Sequence, residues 1–163
     1  MGTTNQGELN LDLVFKSREF PQLSDNFHNL KDKLIFESSF WEEVFSCWIK
    51  IVLEEDDSPF SKFILGKNFF SLSLQITNNQ EIKSINQKWL KKNHPTDVLS
   101  FPIISDNNTI KDLAFIELGD LFISLEMAFK QSLEYKHSIK REMLWLASHG
   151  FLHLLGWEHN DDI

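Results

Sequence analysis

Hydrophobic residues recur along the chain at two periods. Leu9, Leu11, Leu13 and Phe15 alternate with Asn10, Asp12 and Val14, and Phe70, Leu72, Leu74 and Ile76 alternate with polar residues within 69–77. A period of two is that of a half-buried strand, so both segments are predicted to be β-strands. Val98, Leu99, Phe101 and Ile103 predict a third strand, and 113–123 a fourth that Gly119 interrupts. The longer, helical period appears in four places. Trp41, Val44, Phe45, Trp48, Ile49 and Val52 follow Ser38 and Ser39, either of which would cap a helix beginning at Phe40 and ending at the acidic run Glu54 to Asp57. Asn78 or Asn79 caps a helix to Leu90 with Ile82, Ile85 and Trp89 facing inward, and Pro95 stops it from continuing. Ser124 caps a third, through Lys136. Ser138 precedes the last, 139–155, which is apolar around most of its circumference and is therefore expected to run through the middle of the domain.

This order of elements implies an α+β fold, with a small mixed four-stranded sheet covered by helices and a buried C-terminal helix. Residues 1–8 are expected to form a disordered tail and 9–163 a single domain, since no internal repeat appears. The segment from Lys16 to Leu34 has little periodicity and reads as loop.

Composition strengthens the globular reading. Hydrophobic residues make up 42% of the 163, with fifteen Phe and five Trp, enough for one core burying about 70% of the unfolded surface. The lone Cys47 has no partner for an intrachain disulfide and no nearby Cys or His to share a metal, and it reads as a small helix-core residue. With no basic-then-apolar leader and no apolar run near about 18 residues, a reducing cytoplasm and no membrane span are expected. The net charge of −8 argues against broad affinity for polyanions, which depends on Lys and Arg. A nucleic-acid partner would need a local cationic patch. Two exist in the sequence: Lys88, Lys91, Lys92 and His94, and Lys136, His137, Lys140 and Arg141.

Chemistry concentrates near the C-terminus, in His149-Gly-Phe-Leu-His153-Leu-Leu-Gly156-Trp-Glu-His159. Residues four apart on a helix project from one face, so His149 and His153 can reach one metal ion. Gly156 can take the left-handed conformation that ends a helix and turns the chain, bringing His159 back as a third ligand. Three nitrogens and an open fourth position are the pattern of a catalytic zinc rather than a structural one. Single histidines near helix ends are mostly packing or surface residues, but three at these offsets are poorly explained by chance. The offsets match the metzincin protease motif, except that the glutamate serving such enzymes as general base is replaced by Gly150.

Together with Pro95-Thr-Asp-Val-Leu-Ser-Phe101 and Leu118-Gly-Asp-Leu-Phe-Ile-Ser124, this stretch closely resembles the YbeY family of bacterial rRNA maturation factors, single-domain zinc-dependent endoribonucleases. The resemblance implies one Zn²⁺ per chain held by His149, His153 and His159, with the 95–101 segment lining the cleft beside it. It also implies single-strand-specific cleavage of rRNA precursors, at the 3′ end of the small-subunit rRNA, and a part in ribosome quality control, with the ribosome or its proteins as partners. Substrate contacts are expected from Lys91, Lys92, Lys140 and Arg141. The family's usual phosphate-binding arginine is Leu90 here, and Lys91 or Lys92 would lack its planar fork. Glu158 stands where Asp is usual, and the family's C-terminal helix is absent from a sequence that stops at Ile163. On this reading the zinc polarises a phosphodiester oxygen, with Asp97 a candidate general base, although Asp before a strand is often a turn or cap residue. The competing readings are a zinc metallohydrolase of peptides or amides, which the histidine spacing alone would favour, and a noncatalytic ribosome-assembly factor with structural zinc.

Overall fold

The computed structural model describes residues 8–20, 30–54, 66–103 and 115–157. Within them lie strands β1 (Asn10–Ser17), β2 (Phe69–Thr77), β3 (Val98–Pro102) and β4 (Ile116–Ser124). The four main helices are α1 (Ser38–Glu54), α2 (Asn79–Leu90), α3 (Leu125–Glu134) and α4 (Ile139–Leu154), with a helical turn and a short 3-10 segment over 30–36 ahead of α1. The strands form one sheet in the order β1-β2-β4-β3. β1, β2 and β4 run parallel while β3 pairs antiparallel with β4, so the sheet is mixed and the fold α+β. Most of the predicted tail lies outside the described residues, as does 21–29; of the segment from Lys16 to Leu34 expected to be loop, Lys16 and Ser17 continue β1 and Leu30–Lys33 is helical.

Alternation decides which face is buried. Phe70, Leu72, Leu74 and Ile76 of β2 and Ile116, Leu118, Leu121 and Ile123 of β4 are each almost wholly buried, and Leu11, Leu13 and Phe15 of β1 pack beside them. Against this face α1 contributes Trp41, Phe45, Ile49 and Val52, and α4 contributes Met143, Leu146, Ala147, Phe151 and Leu154. The two helices meet through rings: Phe151 lies 5.8 Å from Phe45 and 5.6 Å from Trp48. A fully buried Phe contributes roughly 2–3 kcal/mol by removal from water, so this contact is a main tie between α4 and the rest of the core. The Trp41 indole N–H is buried and donates to the Ile35 carbonyl at 2.8 Å, satisfying a polar group that would otherwise cost stability.

Three of the predicted caps are present. Asn78, Ser124 and Ser138 each accept from the backbone N–H three residues on, which satisfies one open donor at each helix start. At α1 the prediction is corrected. The helix begins at Ser38, two residues before Phe40, and the Ser38 hydroxyl donates to Glu42 Oε1 at 3.0 Å instead of capping. Cys47, expected in the core, is exposed, because it lies about 200° around the helix from Phe45. Trp89, expected to face inward, is 62% exposed. Ile82 and Asn86 fill the buried side of α2, leaving Trp89 in the last turn, where its ring lies 6.3 Å from Phe101 and carries the Lys88 ammonium at 5.1 Å. α4 is buried along one side only, with Arg141 and Trp145 exposed.

The predicted interruption at Gly119 is a bulge: Ser71 pairs with Glu117 and Leu72 with Gly119, leaving Leu118 as the extra residue. Gly119 has φ +133, and a Cβ there would stand 2.2 Å from the Phe101 carbonyl oxygen. Only glycine fits both the backbone angle and the approach of β3. Gly119→Ala is expected to lower stability by about 2 kcal/mol or more, whereas Gly66→Ala, with φ +80 and nothing within 4 Å of its added Cβ among the described residues, loses about 1 kcal/mol; urea denaturation of both variants checks the order.

Candidate active-site cleft

Helix α4 approaches the sheet most closely at Gly150. A Cβ there would lie 2.8 Å from Leu121 Cδ2 and 3.1 Å from Val98 Cγ2, so the missing side chain lets the helix seat on β3 and β4. This also accounts for the missing protease base. Position 150 points into the sheet, and a glutamate there would be buried among Leu121 and Val98 rather than reach substrate.

The residues flanking Gly150 are placed at the open edge of that contact. His149 and His153 bring their Nε2 atoms to 3.1 Å, with ring centroids 4.6 Å apart and planes at 80°. Two nitrogens at about 2.05 Å from one tetrahedral ion stand about 3.3 Å apart, so this pair already has the separation that a shared zinc requires. At the helix end Gly156 has φ +82. Its N–H donates to the His153 carbonyl at 3.0 Å and the Trp157 N–H to Leu152 at 3.1 Å, a Schellman turn that reverses the chain. His159 lies outside the described residues, and among the described residues no three His, Cys, Asp or Glu side chains converge as a metal site.

Opposite the histidines runs the 95–101 segment, across a cavity of about 720 Å³ whose walls include Lys92, Asp97, Ser100, Trp145, His149 and His153. Asp97 is heavily engaged. One carboxylate oxygen accepts from the Val98 N–H at 2.8 Å and the Thr96 hydroxyl at 3.2 Å, and the other from Gln131 Nε2 at 2.9 Å. Its carbonyl accepts from the Ser124 N–H at 2.8 Å. Such a set of bonds holds the strand start and ties it to α3. The loop before it is held by Asn86, which is almost wholly buried and donates to the His94 carbonyl at 2.9 Å. Helical periodicity carries no sign of that role, because a polar residue on the inner stripe reads only as a break in it.

The four basic residues predicted to contact substrate separate in space. Lys92 lines the cleft, whereas Lys91 is exposed, in the left-handed region with φ 60, and its ammonium donates to the Lys88 carbonyl at 3.2 Å. Lys140 lies over the Phe40 ring at 5.2 Å, and Arg141 borders a second depression on the far side of Trp145. Leu90, in the place of the expected arginine, also lines the cleft.

The family model described as "Endoribonuclease YbeY" matches residues 26–163. The chain belongs to the YbeY family. A protein named Endoribonuclease YbeY from Prochlorococcus marinus subsp. pastoris is 70% identical over 155 residues, covering 95% of this chain and 86% of that one. Another of that name, from Prochlorococcus marinus strain MIT 9515, is 68% identical over 158 residues, covering 97% and 88%. A Thermotoga maritima protein solved in solution is 23% identical with a TM-score of 0.46, covering 91% of this chain and 75% of that one.

Behind the cleft wall, this YbeY-family chain buries a carboxylate. Glu142 of α4 is 2% exposed, with Oε2 2.9 Å from His137 Nε2. Burial holds its carboxyl above the ordinary 4.5, opposed by the attraction of His137 and reinforced by the negative charge of Asp97. The folded state therefore binds the proton more tightly than the unfolded chain. That contribution to stability is complete below the unfolded value and is lost as pH rises through the raised folded value. Glu142→Gln is expected to flatten the fall in stability above pH 4.5, read from urea denaturation of variant and parent at stepped pH; equal slopes would count against a raised carboxyl.

Proposed function

We propose that this chain is a zinc-dependent endoribonuclease that cuts single-stranded RNA during rRNA maturation, including the 3′ end of the small-subunit rRNA. It would hold one Zn²⁺ through His149, His153 and His159. The observation that carries this reading is the 3.1 Å approach of the His149 and His153 Nε2 atoms on the wall of an open cleft, in a chain whose family is described as endoribonuclease.

A Zn²⁺ ion held there supplies Lewis acidity toward a phosphate oxygen. The chain's own groups do the positioning. Lys92 is the cation in the cleft wall, and it acts as a point charge on phosphate without the two-pronged grip of arginine. Asp97 keeps the opposite wall in place through its bonds to Val98, Thr96 and Gln131, and we assign it to shaping the cleft, with proton transfer as its secondary role. Gly150, seated against Leu121 and Val98, keeps the histidine pair at a constant height above β3. A part in ribosome quality control, ribosomal partners and a cytoplasmic setting belong to the same proposal. No helix among the described residues is long and apolar enough to cross a membrane.

Peptide or amide hydrolysis is disfavoured by the orientation of position 150, where the protease base would have to sit. The test uses purified protein with its zinc measured, incubated separately with rRNA fragments and with unstructured peptides. His149→Ala with His153→Ala is expected to lose bound zinc and to slow RNA cleavage by about 100-fold or more. Undiminished cleavage by that double variant would overturn the metal mechanism, and peptide cleavage without RNA cleavage would overturn the RNA reading.

A further inference from the structure

Trp145 is the side chain that the cleft shares with its neighbour. It lines the histidine cavity and also a second one of about 710 Å³, bordered by Trp48, Tyr135, His137, Arg141 and Glu142. It is 68% exposed, and Tyr135 62%. Burial of such rings would be favourable, and neither contributes to the core. Along α4, Arg141, Trp145, His149 and His153 follow one another at intervals of four, so they form a single ridge with a rise of about 6 Å per step. A strand lying along that ridge passes from the histidine pair over an indole to a guanidinium.

Three aromatic side chains, Trp48, Tyr135 and Trp145, line the second cavity, and the Tyr135 ring is stacked with His137 at 22° and 6.1 Å between centroids. Arg141 supplies a positive charge on its border, and the neighbouring carboxylate of Glu142 is already paired with His137. In a chain of net charge −8, a guanidinium thus stands beside exposed rings. Single-stranded nucleic acid is held by that combination, with bases stacked on aromatic side chains and the backbone following the cations.

We propose that the Trp145–Tyr135 depression is a base-binding subsite, in which one unpaired base of an RNA strand stacks on Trp145 while Arg141 meets the adjoining phosphate. The subsite rests on the endoribonuclease reading and deepens it: it places one nucleotide of the substrate at a fixed distance from the histidine pair.

The experiment measures cleavage of single-stranded oligoribonucleotides by the zinc-loaded full chain, with one abasic nucleotide walked along the strand. Trp145→Ala and Tyr135→Ala are expected to raise KM about tenfold, with kcat, zinc content and melting temperature near those of the parent, and Trp145→Phe to recover most of the loss. One abasic position, fixed relative to the cut, should raise KM for the parent and have no further effect on Trp145→Ala. Parent-like KM in both alanine variants, or abasic penalties unchanged in Trp145→Ala, would overturn the subsite and leave the endoribonuclease reading intact. A parent chain that cleaves no RNA would overturn both.

Discussion

At Gly150 no side chain separates α4 from the sheet, and the rest of the site depends on that contact. The helix settles against Leu121 and Val98, which brings the turn before Gly150 and the turn after it to the edge strand β3. His149 and His153 then face the 95–101 segment across an open cleft instead of projecting from a helix held farther out. The same buried side of α4 is tied down, one residue farther around, by Phe151 against Phe45 and Trp48. Interiors pack at crystal-like density, so a helix clamped this way holds its outward residues at nearly constant positions.

The facing wall is held by polar bonds rather than by packing. β3 is an edge strand of five residues, and its approach to β4 passes the bulge at Gly119, where Phe101 comes closest. Asp97, Gln131, Asn86 and Ser124 tie its beginning and the loop before it to α2, α3 and β4. Side-chain carboxylates that accept several donors gain stability from them and lose freedom to move. The cleft therefore has one wall fixed by apolar burial and one fixed by hydrogen bonds.

Charge in this molecule is local. An overall excess of acidic groups keeps the surface from attracting polyanions broadly, while Lys92 borders the histidine cleft on one side of Trp145 and Arg141 borders the second depression on the other. Those two belong to separate clusters in the sequence, and the fold puts both beside α4. Lys91 and Lys140, one residue away from each, are turned to other neighbours.

Much was legible before any coordinates. The strand 69–77, the caps at Asn78, Ser124 and Ser138, the break at Gly119 and the left-handed turn at Gly156 follow from local backbone chemistry, which a few neighbouring residues settle among themselves. The convergence of His149 and His153 belongs to the same class, since the period of the helix alone puts them on one face. Periodicity failed where burial depends on what lies across from a residue. Trp89 is exposed and Asn86 is buried because of the outlines of the sheet and the loop they meet, whereas Cys47 is exposed by the helical period itself, which sets it away from the stripe of Phe45 and Ile49. Asp97 reads locally as a turn residue, and only its long-range bond to Gln131 makes it a clamp. The strands, the four long helices to within a few residues and the facing of the histidine pair are products of short-range geometry and stand in the sequence. That Gly150 is a contact surface and that Trp145 stands between two cavities comes from the packed molecule alone, because both depend on how closely one helix can approach one sheet.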